Sequence, residues 1–283
     1  MNSFFNINYE RIHVPNEFAN FSMFWENFFI TKGFHAFGLF AATEPIETYD
    51  FFEPRVAGRA LNFPINHNVG GWISSDYRKV FALDARSNYR WFKDGNRQRF
   101  NWGVSPRVRF SDKLLQVINF DWYNFDEDLG WVNDVDEGII MGRRDQDIFE
   151  TVWETNYVFN PLMSLRFRLR HYWTRVKYEN YLLLNEDGTL GQAEYDGVDD
   201  ETGLSAHDTN FNAFNIDLVY RWVFTPGSEM TIVWKNSILG SNDELYYDFG
   251  ENLRNTFELD QVNSISLRVL YFLDYRSLKK KKA

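Results

Sequence analysis

Cysteine is absent from the 283-residue chain, which rules out a disulfide framework and a thiolate metal site. Long hydrophobic runs are absent as well. A helix that spans a bilayer needs about 18 or more consecutive apolar residues, and the longest clean stretch, residues 37–42, is far shorter. Net positive charge is also missing. Lys and Arg number 30 against 40 Asp and Glu, a formal charge of −10. Nucleic acid rewards clustered positive charge, so no nucleic-acid partner is expected. Met1 is followed by Asn-Ser-Phe-Phe-Asn-Ile-Asn, without the basic start and apolar stretch of a signal peptide. For a secreted location this leads to the expectation of a mature segment, or of the C-terminal portion of a longer precursor.

What the chain has in excess is aromatic. Phe, Tyr and Trp number 28, 15 and 10, and together they make 19% of the residues. Mean hydropathy is nevertheless −0.45, with 25% charged residues. Many rings, many charges and no long apolar run fit strands that alternate a lipid face with a wet face. Composition alone leaves a large soluble β-sandwich open.

Alternation along the chain favours the membrane form. Phe81, Leu83, Ala85, Tyr89 and Trp91 share a period-2 face against Asp84, Arg86, Asn88 and Arg90. Phe100, Trp102, Val104, Val108 and Phe110 oppose Arg99, Arg107 and Arg109. Leu165, Phe167, Leu169 and Trp173 oppose Arg166, Arg168 and Arg170. Phe214, Ile216, Leu218, Tyr220 and Trp222 oppose Asp217 and Arg221, and Ile265 to Tyr275 oppose Arg268 and Asp274. A tilted strand crosses a bilayer in roughly 9–11 residues, which these segments reach.

The connections alternate in length. Tight turns are read at Lys32-Gly33, Asp76-Tyr77, Asp112-Lys113, Asn160-Pro161 and Pro226-Gly227, with longer polar stretches at 44–68, 93–97, 126–145, 185–208 and 240–261. Tight turns at one end and long loops at the other are the outer-membrane arrangement. The expected fold class is therefore all-β: an antiparallel transmembrane β-barrel of about 12 strands over residues 1–275, free-standing or part of a larger barrel. A basic tail follows at 276–283. Trp and Tyr near strand ends read as interfacial girdles, although rings also favour any strand.

Several segments carry a family resemblance. They include Phe51-Phe52-Glu53-Pro54-Arg55-Val56-Ala57-Gly58-Arg59, Gly71-Trp72-Ile73-Ser74-Ser75-Asp76-Tyr77-Arg78-Lys79, Arg168-Leu169-Arg170-His171-Tyr172-Trp173 and Pro226-Gly227-Ser228-Glu229. From about Phe51 onward the chain resembles the C-terminal barrel region of the DUF5916 family, common in Bacteroidetes. The resemblance implies a bacterial outer-membrane location and an N-terminal family-9-like carbohydrate-binding module ahead of the barrel. It also implies carbohydrate handling at the cell surface.

Candidate chemistry sits first on the wet face. Arg86, Arg90, Arg99, Arg107, Arg109, Arg166, Arg168, Arg170, Arg221 and Arg268 fall there, with Asp84, Asp121, Glu150, Glu154 and Asp217. They read either as a pathway for anions or polar saccharides, or as ion pairs that pack a barrel interior. The acidic stretches 126–136 and 185–208 offer oxygen ligands for calcium, but their spacing matches no EF-hand loop, so they read as solvated loops. No metal site and no cofactor is expected. The five histidines are His13, His35, His67, His171 and His207. They form no recognisable metal or nucleophile pattern; His171 is expected outward with Leu169. Ser205, His207 and Asp208 are the one fragment that could be drawn as a catalytic triad, and an enzyme is not expected. Lys279 to Lys282 reads as a solvated tail or a contact for anionic lipid. Expected partners are outer-membrane lipid and a saccharide or surface protein.

Overall fold

A computed structural model describes residues 1–14, 16–242 and 244–273. The strands are β1 (Asn2–Arg11), β2 (Phe18–Ile30), β3 (Ala36–Glu44), β4 (Thr48–Asp50), β5 (Leu61–Phe63), β6 (Asn66–Ser74), β7 (Phe81–Phe92) and β8 (Gln98–Ser111). They continue with β9 (Leu114–Val135), β10 (Gly138–Asn160), β11 (Met163–Leu184), β12 (Leu190–Gln192), β13 (Thr209–Thr225), β14 (Ser228–Asn242) and β15 (Gln261–Leu270). One helix, α1 (Phe249–Glu258), precedes β15.

The alternating residues form strands because ring-bearing and β-branched side chains pack well on a pleated surface. Twelve of these strands form one continuous antiparallel path, β1-β2-β3-β6-β7-β8-β9-β10-β11-β13-β14-β15. Short β12 adds to β11, and β4 pairs with β5 in a separate hairpin. The expected count of strands is therefore met in a single all-β sheet. Among the described residues no ladder joins β1 to β15, so the observed architecture is a large antiparallel sheet with two free edges. Both edge strands are exposed along their whole length.

Three expectations need correction. Residues 126–145 are not a loop: β9 and β10 continue through them to a two-residue turn at Asp136 and Glu137. The stretch 240–261 holds α1, and 44–68 holds the β4–β5 hairpin. Asp274, Tyr275 and the basic tail at 276–283 lie outside the described residues.

Helix α1 starts because the Asp248 carboxylate accepts the Glu251 N–H, and Glu251 adds negative charge to the first turn. Its inner face is mixed, with Phe249 and Phe257 against sheet rings on either side of two buried polar residues. Asn252 and Thr256, one turn apart, are fully buried against the sheet.

Candidate functional site

The strand registers sort side chains onto two faces. Arg86 lies opposite Gly103, Gly103 opposite Asp121, Asp121 opposite Glu150 and Glu150 opposite Tyr172. Every arginine and acid assigned to the wet face falls on this one face when the pairings are followed from β7 to β15. We call it the charged face.

The sheet brings many of these residues into lateral ion pairs. Arg86 reaches Asp121 at 2.9 Å, Arg170 reaches Glu150 at 3.0 Å and Arg168 reaches Glu154 at 3.3 Å. Lys235 sits 3.4 Å from Asp217, and Arg221 pairs with Glu229 at 2.5 Å. Lys235 and Glu229 were not among the residues expected from sequence. Their positions on β14 opposite β13 are what put them there. Glycine makes room for some of this chemistry: a Cβ at Gly103 would overlap the Asp121 carboxylate. Around that pair lies a concavity of about 390 Å³ lined by Trp72, Tyr77, Asp84, Ser105 and Asn119.

The opposite face is apolar and carries rings in register. Trp102 lies opposite Trp122, Trp122 opposite Phe149 and Phe149 opposite Trp173. Their rings touch in sequence, with Phe149 and Trp173 stacked at 4.6 Å. Eight residues further along each strand, toward the tight turns, Leu114, Tyr157, Leu165 and Tyr220 form a second row. Phe159 and Trp222 flank it. Between the two rows, from β8 to β14, this face holds no Asp, Glu, Lys or Arg.

At the long-loop end a cluster of arginines surrounds one carboxylate. Asp128 accepts from Arg97 at 3.1 Å and Arg99 at 2.6 Å, and Arg144 stands 3.8 Å away. The Arg97 side chain is 1% exposed. Its guanidinium lies 4.4 Å from the Phe92 ring centre and 4.6 Å from Phe63. The acids of 126–136 are therefore not simply solvated: Asp128 is bound to arginine and Glu127 pairs with Arg143. Arg90 is held by Glu44 and Asn66 instead.

The segment between β3 and β6 folds onto the same end. Leu61 packs with Leu129, Met141 and Leu184, Arg59 donates to the Leu184 and Asn185 carbonyls, and Glu53 accepts the Trp131 N–H. This strap ties β3 and β6 to the ends of β9, β10 and β11.

Ser205, His207 and Asp208 do not form a relay. The Ser205 hydroxyl accepts the backbone N–H of Asp208, the His207 ring meets the Tyr195 hydroxyl at 2.5 Å, and Asp208 accepts the Tyr178 N–H. Burial lowers the His207 pKa below its ordinary 6.5, with Asp208 opposing. In the turn after β6, a hydrogen bond from Arg78 holds the Asp76 carboxyl well below the usual carboxylate range. Asp187 and Asp199 of the acidic loop cap their own turns by accepting N–H groups two or three residues on. Among the described residues no group of three or more His, Asp or Glu side chains is arranged to hold a metal ion.

His171 shares its face with Leu169, as expected, but it is buried rather than outward. Helix α1 covers it: Phe249 lies 5.7 Å from the His171 ring, and Asn212 meets its Nε2 at 3.1 Å. Asn252 completes the network, accepting from Asn210 and Asn212 and donating back to Asn212.

A family model described as "Domain of unknown function (DUF5916)" matches residues 1–282, including the segment ahead of Phe51 that the resemblance had left out. No curated protein matches the chain.

Proposed function

The chain belongs to the DUF5916 family over essentially its whole length, and from that premise we propose that it forms the wall of a bacterial outer-membrane β-barrel serving carbohydrate handling at the cell surface. In this reading the charged face lines a water-filled interior, and the apolar face meets lipid except where helix α1 covers His171, Asn212 and Phe214. The carrying observation is the absence of charge between an aromatic row and a row of Leu and Tyr eight residues further along the strands. Eight residues rise about 27 Å along a strand, and a tilt of 35–45° reduces this to about 20 Å, close to the apolar band of roughly 25 Å in outer-membrane barrels. Closure of the two free edges belongs to the same proposal, because an unpaired strand edge is costly in hydrocarbon. The aromatic and hydrogen-bonding lining around Arg86 and Asp121 suits a polyhydroxylated solute.

A second reading, a structural anchor with a packed interior, draws support from the ion pairs that fill the charged face and from the strap across its long-loop end. Planar-bilayer conductance of the purified chain separates the two. Stable ion conductance supports a pathway, and a bilayer that the protein enters without conductance supports the anchor. A chain that stays soluble without detergent at high concentration would sink both. Activity at the rim would rest on His207 and Asp208, and their replacement by alanine without loss of any activity found removes it.

A further inference from the structure

We propose that the tight-turn end of the charged face binds small polyanions through arginines that the sheet leaves without carboxylate partners. Of the ten arginines on that face, Arg86, Arg90, Arg99, Arg168, Arg170 and Arg221 pair with acids. Arg107, Arg109, Arg166 and Arg268 make no ion pair among the described residues. All four lie at one end. Arg107 and Arg109 stand close to the end of β8, Arg166 near the start of β11, and Arg268 two residues before the end of β15.

The acids nearby are already engaged. Asp84 accepts from the Tyr77 hydroxyl, Glu154 holds Arg168, Glu229 holds Arg221 and Asp76 holds Arg78. Asp112, exposed on the turn after β8, is the remaining carboxylate at this end among the described residues. Arg109, Arg166 and Arg268 are exposed, and Arg107 is tied to the Tyr77 ring at 4.6 Å. The opposite end carries the acidic loop 185–208, so charge is polarised along the face. A guanidinium offers a planar fork to phosphate, sulfonate or carboxylate oxygens, and rings of arginine are a known means of anion selection in pores. Sequence alone placed all ten arginines together; pairing is what separates the four that remain available. The inference rests on the charged face being wetted, as the barrel reading has it.

The test uses the full chain in nonionic detergent and pyranine, a pyrene trisulfonate, as the probe. Binding is followed by fluorescence anisotropy at low salt. The triple variant Arg109→Gln/Arg166→Gln/Arg268→Gln is compared with Lys279→Gln/Lys280→Gln/Lys281→Gln, which loses the same charge. Circular dichroism checks that both keep their strand content. The arginine variant is expected to bind about tenfold more weakly or worse, the lysine variant within about twofold of the parent, with both parent and control losing affinity as salt screens the charges. Equal weakening in the two variants, or none in the arginine variant, overturns the proposal. Bilayer recordings keep it distinct from the pathway reading: conductance with no change of anion preference in the arginine variant overturns this inference alone. Selective loss of pyranine binding by a non-conducting protein supports it while the pathway falls.

Discussion

At the scale of single residues, Asp128 balances the charge of the long-loop end. It is the shared partner of Arg97 and Arg99 and lies within reach of Arg144. Removing one partner of a buried ionic cluster leaves uncompensated charge and costs about 3–5 kcal/mol. Asp128→Asn should therefore lower the denaturant midpoint of the folded protein sharply, and Arg97→Met added to it should recover part of the loss. No change in midpoint for Asp128→Asn would show that the cluster is balanced by something else. His207 gives a pH-dependent counterpart. Its folded pKa is depressed below 6.5 by burial, so the opened loop binds the proton more readily than the closed one. Stability of the 193–208 segment is then complete above pH 6.5 and falls as pH drops below it. Hydrogen exchange across this segment should speed up at pH 5 relative to pH 7.5, and His207→Gln should flatten that difference. Equal exchange at both pH values in the parent would contradict it.

At the scale of elements, the strands were readable and the helix was not, for a physical reason. Alternation with period two is written directly into residues such as 99–110 and 214–224, because one face is apolar along the whole strand. Helix α1 carries only a short stripe, Phe249, Leu253 and Phe257 at four-residue spacing, inside a polar stretch. Its buried residues are Asn252 and Thr256; Thr256 donates to the Asn252 carbonyl, and the partners of Asn252, Asn210 and Asn212, lie on β13, some forty residues away. Nothing local signals that polar residues face a sheet. The stretch 126–145 misled for a related reason: acidic composition looks like a solvated loop until Arg97, Arg99, Arg143 and Arg144 are brought beside it. The charged face was legible because it repeats with the strand period. Its division into paired and unpaired arginines was not, since pairing depends on register between strands. The α1 network has a direct check. Asn252→Leu leaves the buried side-chain N–H groups of Asn210 and Asn212 without their acceptor, at about 1–3 kcal/mol for each unsatisfied group. Helix α1 should then undock, and limited proteolysis should cut between residues 243 and 260 well before the parent is cleaved. An unchanged cleavage pattern would mean that Phe249 and Phe257 hold the helix without the asparagines.

At the scale of the whole molecule, the central claim is that the apolar face, outside the part under helix α1, meets hydrocarbon between its two rows. Trp153 sits midway between Phe149 of one row and Tyr157 of the other on β10, on the apolar face. Trp72 lies on the charged face, its indole N–H given to Glu26. The most direct measurement is tryptophan quenching in vesicles of lipids brominated at defined depths, on variants keeping Trp153 alone or Trp72 alone. Trp153 should be quenched most strongly by bromines placed deep in the acyl chains, and Trp72 weakly at every depth. Equal quenching of the two, or a Trp153 untouched by bromine at any depth, would contradict the membrane-wall account.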